Sequence, residues 1–203
     1  MERVIVYIDG FNLYFGLKSK SWQRYYWLNL KKLAQALLTE NQHLVLTKYF
    51  TSRVSKPPEK SRRQSTYIEA LETLDDFQIY YGHYLSNMIE CNKCGNIIPK
   101  PSEKMTDVNI AVELLTDAFQ DLFDKALIIS ADSDLTGPIK KIRQLFPAKK
   151  VVVAFPPARY SFSIEKAANA SFIIGRKKIA NSLFPDEVIK ADGFVLKRPD
   201  NWK

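Results

Sequence analysis

Two short stretches place carboxylates where α/β proteins do chemistry. In Y-I-D-G-F-N-L, Asp9 comes straight after an apolar run and Asn12 follows three residues later. In I-I-S-A-D-S-D-L, Ser130 precedes Asp132 and Asp134, again directly after an apolar run. A third acid, Asp107, stands in the first turn of the amphipathic stretch T-D-V-N-I-A-V-E-L-L. Each has an ordinary structural reading. Asp107 suits a helix N-terminus, where the dipole favours negative charge; Asp132 and Asp134 suit an Asx turn; Asp9-Gly10 suits a strand-to-turn transition. Convergence changes the weighing. Carboxylates gathered in a small crevice repel one another and raise each other's pKa unless a cation compensates. Ligands that are all oxygen suit hard ions, Mg²⁺ or Mn²⁺. Such ions act as Lewis acids and activate water in phosphodiester hydrolysis.

The elements that must bring these acids together are legible as alternating strands and helices. Arg3 to Ile8, Leu44 to Phe50, Phe77 to Tyr81, Ala126 to Ser130, Lys150 to Phe155 and the short S-F-I-I-G are apolar or β-branched runs that predict strands. Helical spacing covers Leu30 to Leu38, the stretch opened by Pro57 and Pro58, the stretch after Thr106 (the expected N-cap), Leu135 to Phe146, and a segment from near Arg159 to Ala170. Strands alternating with helices over 203 residues predict one α/β domain, a mostly parallel sheet covered on both faces in a three-layer α/β/α sandwich. In such a sheet, ligands bind outside the carboxyl ends of the strands, where Asp9 and Asp132 are expected. The domain is expected over residues 1–184, with an irregular cysteine-bearing insertion at about 86–103 and a surface tail at 185–203.

The formal net charge is +8, which favours phosphate-rich partners and would hold a polyanion over an acidic pocket. No run of about 18 apolar residues predicts a membrane span. The first apolar run ends at Asp9, too soon for a signal-peptide core, so a cytoplasmic protein is expected.

The three motifs together, Y-I-D-G-F-N-L, E-K-M-T-D-V-N-I-A-V-E-L-L and L-I-I-S-A-D-S-D-L, resemble the NYN family of PIN-like nuclease domains, and K-V-V-V-A-F-P-P is similar to bacterial members. The resemblance runs from Val4 to about Ser182. It implies a PIN-like α/β/α sandwich and RNA cleavage dependent on Mg²⁺ or Mn²⁺. It implies Asp9 as the first-strand metal ligand and Asp107 as the helix ligand, with Asp132 and Asp134 completing the cluster directly or through water. Asn12 would orient Asp9 or touch substrate, and Ser130 would hydrogen-bond within the same pocket. Every acidic position of the pattern is present.

Lys104 and Arg159 are candidates for phosphate contact, because motif and loop positions place them near strand ends. The cluster Lys56, Lys60, Arg62 and Arg63 reads first as a solvated helix face. Trp22, Tyr25, Tyr26 and Trp27, beside Lys20 and Arg24, could stack single-stranded bases; packing is the favoured reading, with at most one ring left for substrate. Cys91 and Cys94 have zinc-knuckle spacing but supply half a ligand set. His83 with a carboxylate, or a second chain's pair across a homodimer, would complete a Zn²⁺ site, while reduced free thiols are the commoner outcome. PIN-like domains often pair, which adds an analogy for the dimer.

Three other functions compete with this reading. A catalytically silent RNA-binding scaffold would be favoured by Asn in place of the acids, which are intact. A phosphatase of the haloacid dehalogenase type wants a D-x-D pattern, and Tyr7 and Phe11 flank Asp9 instead. A structure-specific DNA nuclease shares similar acids. No P-loop, G-x-G-x-x-G or G-x-S-x-G pattern is present, against nucleotide-binding and serine hydrolase readings.

Overall fold

The structure is a computed structural model that describes residues 1–90 and 95–203, with the backbone alone for 83–90 and 97–104. The first strand, β1 (Glu2–Asp9), is the apolar run of the N-terminus, buried from Val4 onward on both faces, as a central parallel strand must be. It is followed by α1 (Gly10–Ser19), α2 (Leu30–Leu37), β2 (Gln42–Thr51), α3 (Pro58–Leu71), β3 (Phe77–Tyr81), β4 (His83–Glu90) and β5 (Ile97–Lys104). The second half comprises α4 (Thr106–Phe119), β6 (Lys125–Ile129), α5 (Thr136–Leu145), β7 (Lys150–Phe155), α6 (Phe162–Ala167), β8 (Ala170–Ile173), α7 (Arg176–Ala180), β9 (Glu187–Ile189) and β10 (Val195–Lys197).

The main sheet has the order β3-β2-β1-β6-β7-β8, and every pairing in it is parallel. Alternation along β1 divides the core into two layers. Val4, Val6 and Ile8 face Leu13 and Leu17 of α1, Leu30 and Leu33 of α2, and Leu71 of α3. Ile5 and Tyr7 face Ile110 and Leu114 of α4, Ile139 of α5 and Ile164 of α6. The three-layer α/β/α arrangement is therefore that of the PIN-like fold. The chain winds outward through β2 and β3 on one side of β1, then returns to build β6, β7 and β8 on the other. The sheet's topological switch point lies between β1 and β6, and a crevice opens there at the carboxyl ends of the strands.

Four expectations need correction. Within the stretch 86–103, expected to be irregular, residues 86–90 and 97–103 are strand: β4 pairs antiparallel with β5 from His83↔Lys104 to Glu90↔Ile97. Residues 10–19, for which the sequence suggested no element, form α1. Thr106 is not the N-cap of α4; Met105 takes that position in the left-handed region at φ 77°. The tail is tied into the fold: β9 and β10 pair, and Val188 and Leu196 are buried in the layer that holds α1 and α2. Cys91 and Cys94, with the side chains of His83 and Lys104, lie outside the described residues. Among those described, no helix is long and apolar enough to cross a membrane.

Candidate active site

Asp9 ends β1 and also caps α1. Its Oδ1 accepts the backbone N–H of Asn12 at 2.9 Å, the N-cap contact that starts the helix. Gly10 is required because the turn into the helix runs against β2: a Cβ there would come within 2.7 Å of the Tyr49 ring and 2.8 Å of the Phe50 carbonyl oxygen. The register Ile8↔Ile129 then sets Ser130, the residue after β6, beside Asp9. Ser130 Oγ donates to Asp9 Oδ2 at 2.9 Å and accepts the N–H of Asp132 at 3.0 Å. Asn12 Nδ2 donates to Asp9 Oδ2 at 2.7 Å, while its Oδ1 accepts the N–H of Ala131 at 3.4 Å. One serine and one asparagine thus lock the loops after β1 and β6 to the same carboxylate.

Asp9 is 4% exposed. Burial pushes its carboxyl above the usual range, against the pull of the hydrogen bonds from Asn12 and Ser130, and the nearby charge of Asp132 adds to the rise. Three of about four lone-pair sites on the carboxylate are taken, leaving one direction on Oδ1. A cavity of about 220 Å³ opens beside it, lined by Asp9, Asn12, Asp107, Asp132, Phe11, Met105 and Thr106.

The structure therefore brings Asp9, Asp107 and Asp132 to one cavity and fixes Asn12 and Ser130 against Asp9. Asp134 lies on the short turn Ser133–Leu135, is exposed and does not line the cavity; its N–H is held by Asp132 Oδ1 at 3.1 Å, the Asx-turn contact. Arg159 also lies off the cavity: its guanidinium is 5.8 Å from the Phe15 ring centroid, over α1.

Thr106 is the residue that sequence reasoning missed. It is 4% exposed, it lines the cavity, and its Oγ1 is buried without a hydrogen-bond partner among the described residues. An orphaned hydroxyl at the amino end of a helix is a donor waiting for an oxygen. Met105 beside it holds a left-handed backbone that is costly for a non-glycine residue, by about 1 kcal/mol or more. Sequence offered one signal, the Thr directly before Asp107, and its more ordinary meaning as a cap concealed it.

Among the described residues, no three His, Cys, Asp or Glu side chains stand close enough to hold one ion by direct ligation. The donor set still fits a hard divalent cation. Mg²⁺ is commonly held by one or two carboxylates and keeps several of its waters. A cavity of about 220 Å³ lined by three carboxylates, an amide and a free hydroxyl has room and polar partners for both ion and waters.

Comparison with known proteins gives three findings. The model of the NYN domain family matches residues 3–176. The chain is 27% identical over 175 residues to a protein of Pseudomonas putida named 6-hydroxy-3-succinoylpyridine 3-monooxygenase, with 70% of this chain and 55% of that protein covered. It thus spans about half the length of that curated relative. A solved structure of a protein of unknown function from Vibrio parahaemolyticus superposes with a TM-score of 0.56 at 19% identity, covering 86% of this chain and 94% of that one. That likeness shows the fold.

Proposed function

The chain belongs to the NYN domain family, whose members are typically hydrolytic nucleases, and from that membership we propose a metal-dependent ribonuclease acting on single-stranded RNA. One observation carries the reading: Asp9, Asp107 and Asp132 line a single cavity at the sheet's switch point, although they come from three separate segments. In this reading Asp9, Asp107 and Asp132 would hold Mg²⁺ or Mn²⁺ partly through its bound waters, with Asp134 assisting through water. The bound ion supplies positive charge for a phosphoryl oxygen and acidifies a water molecule.

The chain's own residues have separate tasks. Asn12 and Ser130 keep both oxygens of Asp9 oriented and leave one lone pair facing outward. Burial raises the cost of charge on Asp9, a cost that a bound cation would offset. Thr106 Oγ1 and the amino end of α4 offer donors to a phosphate oxygen. The +8 net charge draws the polyanion in. A redox reading has only the name of the Pseudomonas relative behind it, and much of that protein lies outside the match.

The test is incubation of wild type and Asp132→Asn with labelled single-stranded RNA in Mn²⁺, Mg²⁺ or EDTA. Cutting by wild type with metal, abolished by chelator and by the substitution, is expected. Silence with both metals on RNA and single-stranded DNA, together with metal-independent RNA binding, would replace catalysis by a scaffold role.

A further inference from the structure

A second cavity, of about 310 Å³, lies on the other side of Phe11, between α1 and α3. Phe11 lines both cavities, so this one adjoins the aspartate cavity through a shared wall. Its size falls within the range of small-molecule sites, roughly 300–1,000 Å³. Its lining is made by two helix faces. Phe11, Tyr14 and Lys18 recur at i, i+3 and i+7 along α1, and Lys60, Arg63, Gln64 and Tyr67 at helical spacing along α3. Tyr26 and Trp202 close it from outside the two helices, with their ring centroids 5.8 Å apart and Tyr14 5.0 Å from Tyr26.

Two features separate this cavity from a gap in the core. Tyr14, Tyr26 and Trp202 are half-buried, whereas the core ring Trp27 is completely enclosed. The lining also carries three cations, Lys18, Lys60 and Arg63, and no carboxylate. Lys60 Nζ stands 5.5 Å over the Tyr14 ring, and Arg63 is held only loosely by exposed Glu59 at 3.9 Å. Aromatic faces with fixed positive charge at their rim suit a planar, apolar body attached to an anion.

We propose that this cavity is a nucleotide subsite, in which one base of the RNA inserts among Tyr14, Tyr26 and Trp202 while Lys60 and Arg63 hold its phosphate. The assignment rests on the ribonuclease reading for its role in cleavage. The base lodged here belongs to a nucleotide near the scissile phosphate, because Phe11 separates the two cavities. Stacking accepts any base, so the subsite positions single strands and refuses duplex, whose bases are already stacked.

The experiment titrates the full chain in EDTA with nucleoside 5′-monophosphates, following tryptophan fluorescence, and then measures cleavage of single-stranded RNA with Mn²⁺. Saturable quenching through Trp202 is expected. Tyr14→Leu should weaken it about 10-fold, as loss of a base-stacking ring does. The pair Lys60→Ala with Arg63→Ala, both half-buried on α3, should weaken it by a comparable factor and raise KM while kcat is retained, with an unchanged melting temperature showing that the fold is kept. Asp132→Asn should bind the monophosphate as wild type does. Cleavage with unchanged KM and unchanged monophosphate affinity in both cavity variants overturns the subsite and leaves the nuclease standing. Monophosphate binding lost in the variants of a protein that cuts nothing keeps the subsite and removes the nuclease. Quenching by nicotinate or benzoate but by no nucleotide overturns the subsite in favour of a small aromatic acid.

Discussion

At its amino end β1 meets Asp121 and Asp124, and Arg3 answers both: its guanidinium lies 3.3 Å from Asp121 and 2.8 Å from Asp124, whose carboxylate also accepts the Arg3 N–H at 2.8 Å. Hydrogen bonds from Arg3 hold the Asp124 carboxyl down to about 2. At the carboxyl end, seven residues from Arg3 to Asp9 reverse the situation. Asp9 is more deeply buried, accepts only neutral donors, and has its carboxyl pushed upward by desolvation. Among the described residues no Lys or Arg pairs with Asp9, Asp107 or Asp132, although the chain carries an excess of eight positive charges. The middle of the same layer resembles the amino end: buried Lys48 sits 2.7 Å from Asp117 and from Glu113, and Tyr7 Oη donates to Asp117 at 2.6 Å. Carboxylates that serve the fold are matched with cations inside the chain. At the switch point Asp9 and Asp132 are hydrogen-bonded into position, and among the described residues neither they nor Asp107 has a cationic partner, the arrangement expected where a cation from solution completes the site.

The contrast breaks most sharply at Asp9. Asp9→Asn removes the charge but not the shape, and RNA cleavage should fall further than the roughly 100-fold that loss of an outer hydrogen-bond partner costs a metal site; gel assay of labelled RNA with Mn²⁺ measures it, and retained cutting would deny Asp9 its role. Lys48→Met tests the opposite kind of acid. It strands Asp117 and Glu113 without their cation and should cost about 3–5 kcal/mol in urea unfolding, while the folded fraction keeps its kcat. Ser130→Ala should have a smaller effect. Its hydroxyl joins Asp9 to the Asp132 N–H, and losing it should weaken Mn²⁺ binding by roughly 10–100-fold, read by calorimetric titration.

These residues also show how far the sequence could be read. Arg3 to Ile8 is legible as a buried strand because a central parallel strand needs apolar residues on both faces, and the sequence has them in an unbroken run. The stretch after Asp107 is legible because Ile110, Leu114 and Ala118 recur at helical spacing and are buried. Residues 10–19 are not. Their two glycines, aromatics and asparagine are indifferent helix formers. The helix exists because Asp9 caps it, because Leu13 and Leu17 find the sheet, and because Gly16 lets it approach the Pro157 carbonyl oxygen, which a Cβ would meet at 2.6 Å. Three of the four expected acids share the cavity, since two strand ends and one helix start are visible in sequence; Asp134 falls outside it because the short turn Ser133–Leu135 leaves it exposed. Thr106 escaped because the choice between capping and lining depends on the left-handed backbone at Met105, which tertiary contacts decide. The second cavity escaped because its walls come from five separated segments, the last of them at Trp202.

The smallest effect is also the most direct comparison of the two ends, since one experiment reads both. In chelator, melting temperature is followed against pH for wild type, Arg3→Ala and Asp9→Asn. The Asp124 carboxyl is held below its ordinary 3.8, so its stabilisation is complete above that value and is lost as pH falls through about 2. The Arg3→Ala curve should therefore lie slightly below wild type above pH 4 and approach it in strong acid, a modest gap because the pair is more than a third exposed. Asp9 has the opposite sign. Its folded carboxyl binds a proton more tightly than the unfolded one, so stability declines as pH rises from the ordinary carboxylate value through the raised one. That downward slope should be missing in Asp9→Asn. Adding Mn²⁺ at neutral pH should restore the lost stability in wild type and do little for the variant, because the ion binds the ionised form and competes with the proton. Parallel curves for wild type and Asp9→Asn, with no response to metal in either, would mean that Asp9 is a helix cap and nothing more.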